Sequence, residues 1–359
     1  MNRTLCIEKT NHAINALEQK RFFKLVCGAS LTDVQMIENL CFVFTLAGAH
    51  VIDLAPKTDV IFAARRGIQK ANSQKPIANS PVLMASIQLD KDPHFRKAAV
   101  DCKLCDLCSA CIKICPTGAF KIAAFSEPRQ GREDKKIIYS AERCFGCGIC
   151  LSYCHVSALE MTDTKPAPVE TLKEMILLGV KAIEFHFGKN IQKLEEIWDD
   201  VVRVCHGTEA CCGMPLLSFS IGSDLLSDEQ IKNAANLCYK LAGKGIILQC
   251  DGTPMSGGID KKSKNSQNGN NKDNPGLQVA KIIEEEKLPV YLQISGGTNE
   301  SSFAMANEAG INIHGVAIGS YARKLLMPYL NDLEDKETLH HAVNIARSLV
   351  NSTGGNNER

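Results

Sequence analysis

The chain has 359 residues, 45% hydrophobic and 23% charged, enough for at least one full-sized core. Forty-one basic against 40 acidic side chains leave a formal charge of +1, which gives no electrostatic reason to expect nucleic acid or an anionic membrane as partner. The abnormal count is cysteine: 17 in all, eight of them crowded between Cys105 and Cys154.

The first twenty residues, MNRTLCIEKTNHAINALEQK, have neither the apolar core nor the small-residue cleavage pattern of a secretory signal. The longest apolar stretch, Leu40 to Ala55, contains His50 and Asp53 and is shorter than the roughly 18–20 residues a bilayer span needs. The expectation is a cytoplasmic protein with no transmembrane segment. In that reducing compartment, clustered thiols point to metal or redox chemistry in preference to disulfides.

The first strand is predicted over Phe23 to Ala29. A helix follows, with Thr32 and Gln35 in capping-box spacing and Val34, Ile37, Leu40, Cys41 and Phe44 on one face, closed by Gly48. A strand from His50 to Ala55, a helix from Thr58 to Ala71 and a strand from Pro81 to Ile87 complete three βα units within residues 1–92.

Residues 93–163 interrupt this grammar with two copies of one pattern, about 39 residues apart. Cys105, Cys108, Cys111 and Cys115 precede Pro116; Cys144, Cys147, Cys150 and Cys154 precede His155. Both have the C-x2-C-x2-C-x3-C spacing of two-cluster bacterial ferredoxins. In that arrangement three closely spaced thiolates hold one [4Fe-4S] cube and the fourth reaches the other. The predicted sets are Cys105, Cys108, Cys111 with Cys154, and Cys144, Cys147, Cys150 with Cys115. Two complete runs leave little room for structural zinc or a dithiol pair. His155 stands where a second proline is expected, which alters the turn and leaves the ligands intact. Cys102 is a spare ligand or, more simply, a surface thiol. Ten basic and eight acidic residues between 93 and 163 give no acidic docking face, so the module reads as an internal relay or sensor, not a mobile carrier.

The βα grammar resumes within residues 164–350. A helix from Val169 to Leu178 precedes a strand from Ala182 to Phe187, and a helix from Ile191 to Val202 precedes a strand from Leu216 to Ile221. Ser227 and Gln230 cap the next helix, which presents Ile231, Ala234, Ala235, Cys238 and Leu241 before Gly243. A strand from Gly245 to Cys250 follows. The Gly-, Asn-, Lys- and Ser-rich run 256–276 reads as a flexible excursion. A helix from Leu277 to Glu286, a strand from Val290 to Ile294, a helix from Ser301 to Ala309, a strand from Gly315 to Ile318 and a helix through Leu339 to Val350 end the pattern, leaving 351–359 as a disordered tail.

Eight β-type runs separated by helices indicate an α/β fold, a (β/α)8 barrel-like domain carrying an inserted two-cluster ferredoxin-like (α+β) module. Without 93–163 and 256–276, 267 residues remain, against roughly 250 for a typical barrel. An open doubly wound sheet is the alternative.

Reactive groups in such barrels gather at the C-terminal strand ends, where Asp53, Gln88, Glu184, His186, Gln249, Asp251 and Gln293 fall. Glu184 and His186 alternate on one strand and form a candidate acid/base pair, although polar plugs of a barrel core would read the same way. Gly296, Gly297 and Thr298 after the seventh barrel strand, with Gly319 and Ser320 after the eighth, form a candidate phosphate or flavin mononucleotide (FMN) cradle. Tight βα turns would carry the same glycines. No G-x-S-x-G or Walker sequence is present. Cys6, Cys27, Cys41, Cys238 and Cys250 read as small core residues, and Cys205, His206, Cys211 and Cys212 match no ligand spacing.

The order FFKLVCGAS, TLAGAHVIDLA, DPHFRKA, then the double-cysteine motif, CDGTPMSGG, ISGGTN and GSYARKLL resembles the cyanobacterial light-dependent period (LdpA) family along nearly the whole chain. That resemblance implies an iron–sulfur, redox-sensing regulatory protein that conveys light-dependent redox state to the circadian clock, with the clock component KaiA and the input kinase CikA as partners. Whether the chain is also an enzyme stays open at this point. The alternative reading is a flavin-dependent oxidoreductase whose clusters feed electrons to FMN on the barrel.

Overall fold

The computed structural model describes residues 3–124, 135–206, 214–222, 226–252 and 274–353. Helix α1 (Arg3–Glu18) leads into β1 (Phe22–Val26), then α2 (Val34–Ala47), β2 (Val51–Leu54), α3 (Thr58–Gln74) and β3 (Val82–Gln88). The cysteine region contributes β4 (Lys97–Val100), α4 (Ala110–Ile114), β5 (Phe120–Ala124), β6 (Lys135–Tyr139) and β7 (Leu159–Thr162). Alternation resumes with α5 (Pro168–Leu177), β8 (Ala182–His186), α6 (Gln192–His206), β9 (Leu216–Gly222), α7 (Asp228–Ala242) and β10 (Ile247–Asp251). The chain then runs through α8 (Pro275–Glu284), β11 (Tyr291–Ser295), α9 (Ser302–Glu308), β12 (Gly315–Ile318), α10 (Ser320–Leu326) and α11 (Lys336–Asn351). No described helix is long and apolar enough to cross a membrane.

Strands β1, β2, β3, β8, β9, β10, β11 and β12 close into one parallel barrel, with β1 paired to both β2 and β12. Closure excludes the open-sheet alternative, which would leave two strand edges unpaired. Because strand side chains alternate, Phe23, Leu25, Ile183, Phe185, Leu248 and Cys250 point outward into the shell shared with the helices. Their neighbours Lys24, Glu184, Ser218, Gln249 and Gln293 point inward and are all buried. The barrel interior is therefore polar in its middle and upper layers.

The floor is apolar, and α1 closes it. Ala13, Ala16 and Leu17 pack with Phe22, Val51, Val82, Met84, Ala182, Leu216 and Ile247 beneath the strands. The sequence reading assigned no helix there. At the opposite end of the chain, Thr353 is buried and its hydroxyl donates to the Arg21 carbonyl at 2.9 Å, so the ordered chain extends past the expected tail boundary at 351.

Side-chain caps start α2, α7, α8 and α11. Ser227 and Gln230 form the expected reciprocal box on α7, and Gly48 closes α2 in the left-handed region. The proposed Thr32–Gln35 box is not formed: Asp33 is the N-cap, accepting from the Met36 amide at 2.9 Å. Asp is a better N-cap than Thr, and the Thr32 amide that the box would need donates to the Glu142 carbonyl at 2.9 Å instead. Helix α8 starts within the last residues of the expected 256–276 excursion, capped by Asn274; residues 253–273 lie outside the described ones.

Between β3 and β8, the inserted module is two antiparallel pairs, β4 with β7 and β5 with β6. Ala98, Ala119, Phe120, Ile137 and Cys150 form its small core.

Candidate cluster sites and the barrel mouth

The two cysteine loops repeat in backbone conformation as well as in sequence. Positive φ occurs at Leu107, Ser109 and Gly118 in the first, and at Gly146, Gly148 and Ser157 in the second. Each position lies 39 residues from its counterpart. Such turns aim successive thiols toward a common centre, and non-glycine residues at three of the six indicate that the turn itself is needed. The fourth thiol of each run is also equivalent: Cys115 Sγ accepts from the Ala119 amide at 3.3 Å and Cys154 Sγ from the Ala158 amide at 3.2 Å.

The residues fit iron–sulfur clusters. Cys115, Cys144, Cys147 and Cys150 line one cavity with Phe120, Phe145 and Gly148. The Cys150 thiol is pushed up to about 12, first by burial and then by neighbouring Cys147, Cys144 and Cys115. Four thiols crowded enough to oppose one another's ionisation are the donor set a cationic cluster core stabilises. Cys111 feels Cys105 and Cys108 in the same way. His155 Nε2 reaches Asp106 Oδ2 of the first loop at 2.9 Å, so the residue in the proline's place ties the loops together.

The second loop enters the barrel. Phe145, between Cys144 and Cys147, is buried, and the Arg323 guanidinium lies 4.3 Å from its ring centroid. Arg323 donates from Nη1 to the Val26 and Cys27 carbonyls, which also explains why β1 stops at Val26 and not at Ala29. The Thr32 and Asp33 amides donate to the Glu142 carbonyl, and Arg143 pairs with Asp33 at 3.1 Å. Gly146 lets the same loop pack against the connection that enters the module: its φ is +77°, and a Cβ there would stand 2.3 Å from the Arg96 carbonyl oxygen. Gly146→Ala is expected to cost more than about 2 kcal/mol, since the left-handed penalty alone is roughly 1–2 kcal/mol and backbone must also move. Thermal melting of the cluster-loaded protein checks this, and an unchanged midpoint would refute it.

Above the polar interior lies a mouth with about 1070 Å³ of atom-free space, solvent at its opening included. All five residues of the candidate phosphate cradle, Gly296, Gly297, Thr298, Gly319 and Ser320, line it, as do Asp53, Glu184, His186, Gln249 and Asp251. Gly296 is also required by packing, because a Cβ there would meet the Gly252 amide nitrogen at 2.7 Å. Gln88 accepts from the Thr164 hydroxyl at 2.7 Å, and Gln293 donates to Gln249 Oε1 at 2.7 Å.

Glu184 and His186 are brought together, with Oε1 and Nε2 3.2 Å apart. Glu184 is also held by Lys24, by the Ser218 hydroxyl at 2.7 Å and by Gln249 Nε2 at 2.9 Å. Burial opposes its ionisation, but Lys24 and His186 overcome this and hold its carboxyl below the ordinary range. Sequence reasoning missed Lys24, Asp92, His94, Phe145 and Arg323. Lys24 sits in the run FFKLV, where one charge among apolar residues was the available signal.

Asp53 behaves oppositely. Burial and the Glu184 charge raise it to about 7, against the help of Lys24, His186 and the Ser86 hydroxyl. The unfolded side chain ionises near 3.8, so between that value and about 7 the native state holds a proton that the unfolded state has released. Stability therefore falls as pH rises through that window. Asp53→Asn keeps an acceptor for Ser86 and removes the penalty. Its melting temperature is expected to exceed that of the parent by several degrees at pH 8, with the difference closing toward pH 5; a constant offset would refute the assignment.

Cys27, Cys41, Cys238 and Cys250 are buried, as core residues should be, and Cys102 is exposed. Cys205 and His206 end α6, while Cys211 and Cys212 lie outside the described residues.

Residues 104–158 match the 4Fe-4S dicluster domain family model. Residues 175–352 match the model of the light dependent period A C-terminal domain. The light dependent period A protein of Synechococcus elongatus is 28% identical over 358 residues, covering 94% of this chain and 92% of that one. The polyferredoxin protein MvhB of Methanothermobacter marburgensis is 31% identical over 64 residues, 17% of this chain and 16% of its own. Among solved structures, the tryptophan synthase alpha subunit of Legionella pneumophila overlaps 98% of each chain at 11% identity and a TM-score of 0.46, a level that says nothing about activity. Two family models account for the cysteine loops and the C-terminal half of the barrel, and one relative aligns along almost the whole length, so the chain carries a light dependent period A C-terminal domain and an iron–sulfur domain and is similar to the light dependent period A protein from end to end.

Proposed function

We propose that the protein holds two [4Fe-4S] clusters and acts as a redox-sensing regulator, conveying light-dependent redox state to the circadian clock. The observation that carries this reading is the docking of Phe145, from the second cysteine loop, under Arg323 at the barrel mouth. Bound clusters would supply reversible one-electron chemistry and a change of local charge. The chain's own residues would pass that change on. Arg323 bridges the second loop to the end of β1, and Asp33, at the start of α2, receives Arg143 from the same loop. A shift in the loop therefore bears on two barrel elements at once, and a partner that reads that surface would bind one state better. The proposed ligands are Cys105, Cys108, Cys111 and Cys154 for one cluster, and Cys144, Cys147, Cys150 and Cys115 for the other. KaiA and CikA are the proposed partners.

The test is an EPR-monitored redox titration of anaerobically purified protein, with binding to each partner measured at both ends of the titration. A partner affinity that follows the redox state supports the proposal; equal affinity of oxidised and reduced protein overturns it. A stoichiometric, extractable flavin in the same sample would favour an oxidoreductase with FMN on Gly296, Gly297, Thr298, Gly319 and Ser320.

A further inference from the structure

The mouth contains a second group of metal-type donors, separate from the cysteines. Asp92 and His94 lie on the connection from β3 to the module, and His186 ends β8. One donor atom from each lies within 4.8 Å of the other two. His94 Nδ1 stands 2.6 Å from Asp92 Oδ1, and His186 Nδ1 3.8 Å from Asp92 Oδ2. One carboxylate thus hydrogen-bonds one imidazole directly and faces a second across a small gap. Metal–nitrogen bonds of about 2.0–2.1 Å place neighbouring tetrahedral donors about 3.3 Å apart, and the two observed separations bracket that spacing.

Local structure holds all three donors in place. Asp92 caps the short turn Pro93–Phe95 by accepting from the His94 amide at 2.9 Å through Oδ1, the oxygen that also faces His94 Nδ1. The Phe95 ring meets His186 edge-on with centroids 5.3 Å apart. The His186 side chain is 4% exposed, yet neither ring nitrogen makes an aligned hydrogen bond. Its Nδ1, 3.8 Å from Asp92, lies beyond hydrogen-bond distance of that carboxylate, and a buried ring nitrogen left so costs free energy unless something binds it. Glu184 lies behind it, 3.2 Å from Nε2, where metal-bound histidines commonly find a carboxylate that orients the ring. Asp251 adds further negative charge toward His94.

We infer that Asp92, His94 and His186 form a site for a divalent first-row transition metal at the barrel mouth. Two imidazoles with one carboxylate are the donor set of zinc and non-haem iron(II), and they leave coordination positions free. Those positions open on the mouth cavity, which His94, His186, Ser295 and Thr298 line. Water or an anionic oxygen of a small molecule would occupy them. Nothing in this site involves the proposed cluster cysteines, so it stands or falls independently of the redox-sensing reading.

The experiment uses the full-length, cluster-loaded protein under anaerobic conditions. It is dialysed against micromolar Zn2+, and zinc and iron are counted together by mass spectrometry. The expected result is about one zinc per chain with iron content unchanged, and zinc affinity at least about tenfold weaker in His186→Gln and Asp92→Asn. Zinc K-edge absorption of the unsubstituted protein gives a second readout that does not depend on any variant folding. First-shell scattering from nitrogen and oxygen near 2.0–2.1 Å supports the site. Sulfur scattering near 2.3 Å would place the zinc on thiolates and overturn it. Failure of the unsubstituted protein to retain zinc, or retention unaffected by either substitution in iron-replete protein, overturns it equally.

Discussion

Lys24→Met is expected to destabilise the protein by about 3–5 kcal/mol, the range found when one member of a buried ion pair is removed. Lys24 and Glu184 are 0% and 1% exposed, so no water reaches the carboxylate once the ammonium is gone. The remaining partners of Glu184, the Ser218 hydroxyl and Gln249 amide, are neutral, and His186 stands 3.2 Å away. The first two hydrogen-bond the anion, and His186, which also favours the ionised form, does so less than Lys24. Lys24→Met with Glu184→Gln should recover most of the loss, because it leaves no uncompensated charge and retains a polar partner for Ser218 and Gln249. A pH series adds a signature. In the native protein Glu184 is held ionised, so its contribution is present at neutral pH and fades only in strong acid. In Lys24→Met the effect of burial is no longer opposed by Lys24, and the defect should shrink as pH falls and Glu184 takes a proton. Denaturant titration of the three proteins at two pH values measures all of this. If the double substitution is as unstable as Lys24→Met, the loss comes from packing against Met84 and not from the charge.

The same residue marks the limit of what the sequence discloses. All eight barrel strands were legible, because each is a short apolar run between a helix stop and a cap, and the expected strand from Gly315 to Ile318 coincides with β12. The glycines at 48 and 243 and the Ser227–Gln230 pair act locally, so their effect is visible in neighbouring letters. The cysteine runs are legible for the same reason. Helix α1 was not, since its buried side chains, Ala13, Ala16 and Leu17, make a narrow stripe whose partner is the floor of a barrel assembled much later in the chain. Lys24 and Glu184 are 160 residues apart, and Phe145 and Arg323 nearly 180. Nothing in either sequence neighbourhood specifies the other, and only barrel closure and docking of the second loop bring them into contact. Asp92 and His94 stand in the segment DPHFRKA with nothing nearby to mark them as donors, and their relation to His186 follows from β3 pairing with β8, Gln88 opposite His186.

Cys111→Ala and Cys115→Ala are expected to abolish different clusters, although the two residues are only four apart, one inside the short helix α4 and the other capping its end. Cys115 shares its cavity with Cys144, Cys147 and Cys150, while Cys111 stands within electrostatic reach of Cys105 and Cys108. Crossed ligation therefore predicts that Cys115→Ala and Cys147→Ala lose the same EPR signal, and that Cys111→Ala and Cys154→Ala lose the other. Each should reduce bound iron from about eight to about four per chain if the surviving cube is retained. Ligation within each run predicts the reverse grouping, with Cys111 and Cys115 failing together, so the pattern of four variants decides between the two. The two classes should also differ in stability. Cys147 follows Phe145 and Gly146 on the loop docked beneath Arg323, so losing its cluster frees a segment that contributes to the barrel mouth. Losing the other cluster leaves that contact in place, because Phe145 is held from the barrel side by the guanidinium and by Gly28. The Cys115 and Cys147 variants should accordingly show the larger drop in barrel melting temperature. Equal drops in both classes would mean that the second loop keeps its docked conformation without metal, and the route proposed for passing redox state to the barrel would lose its physical basis.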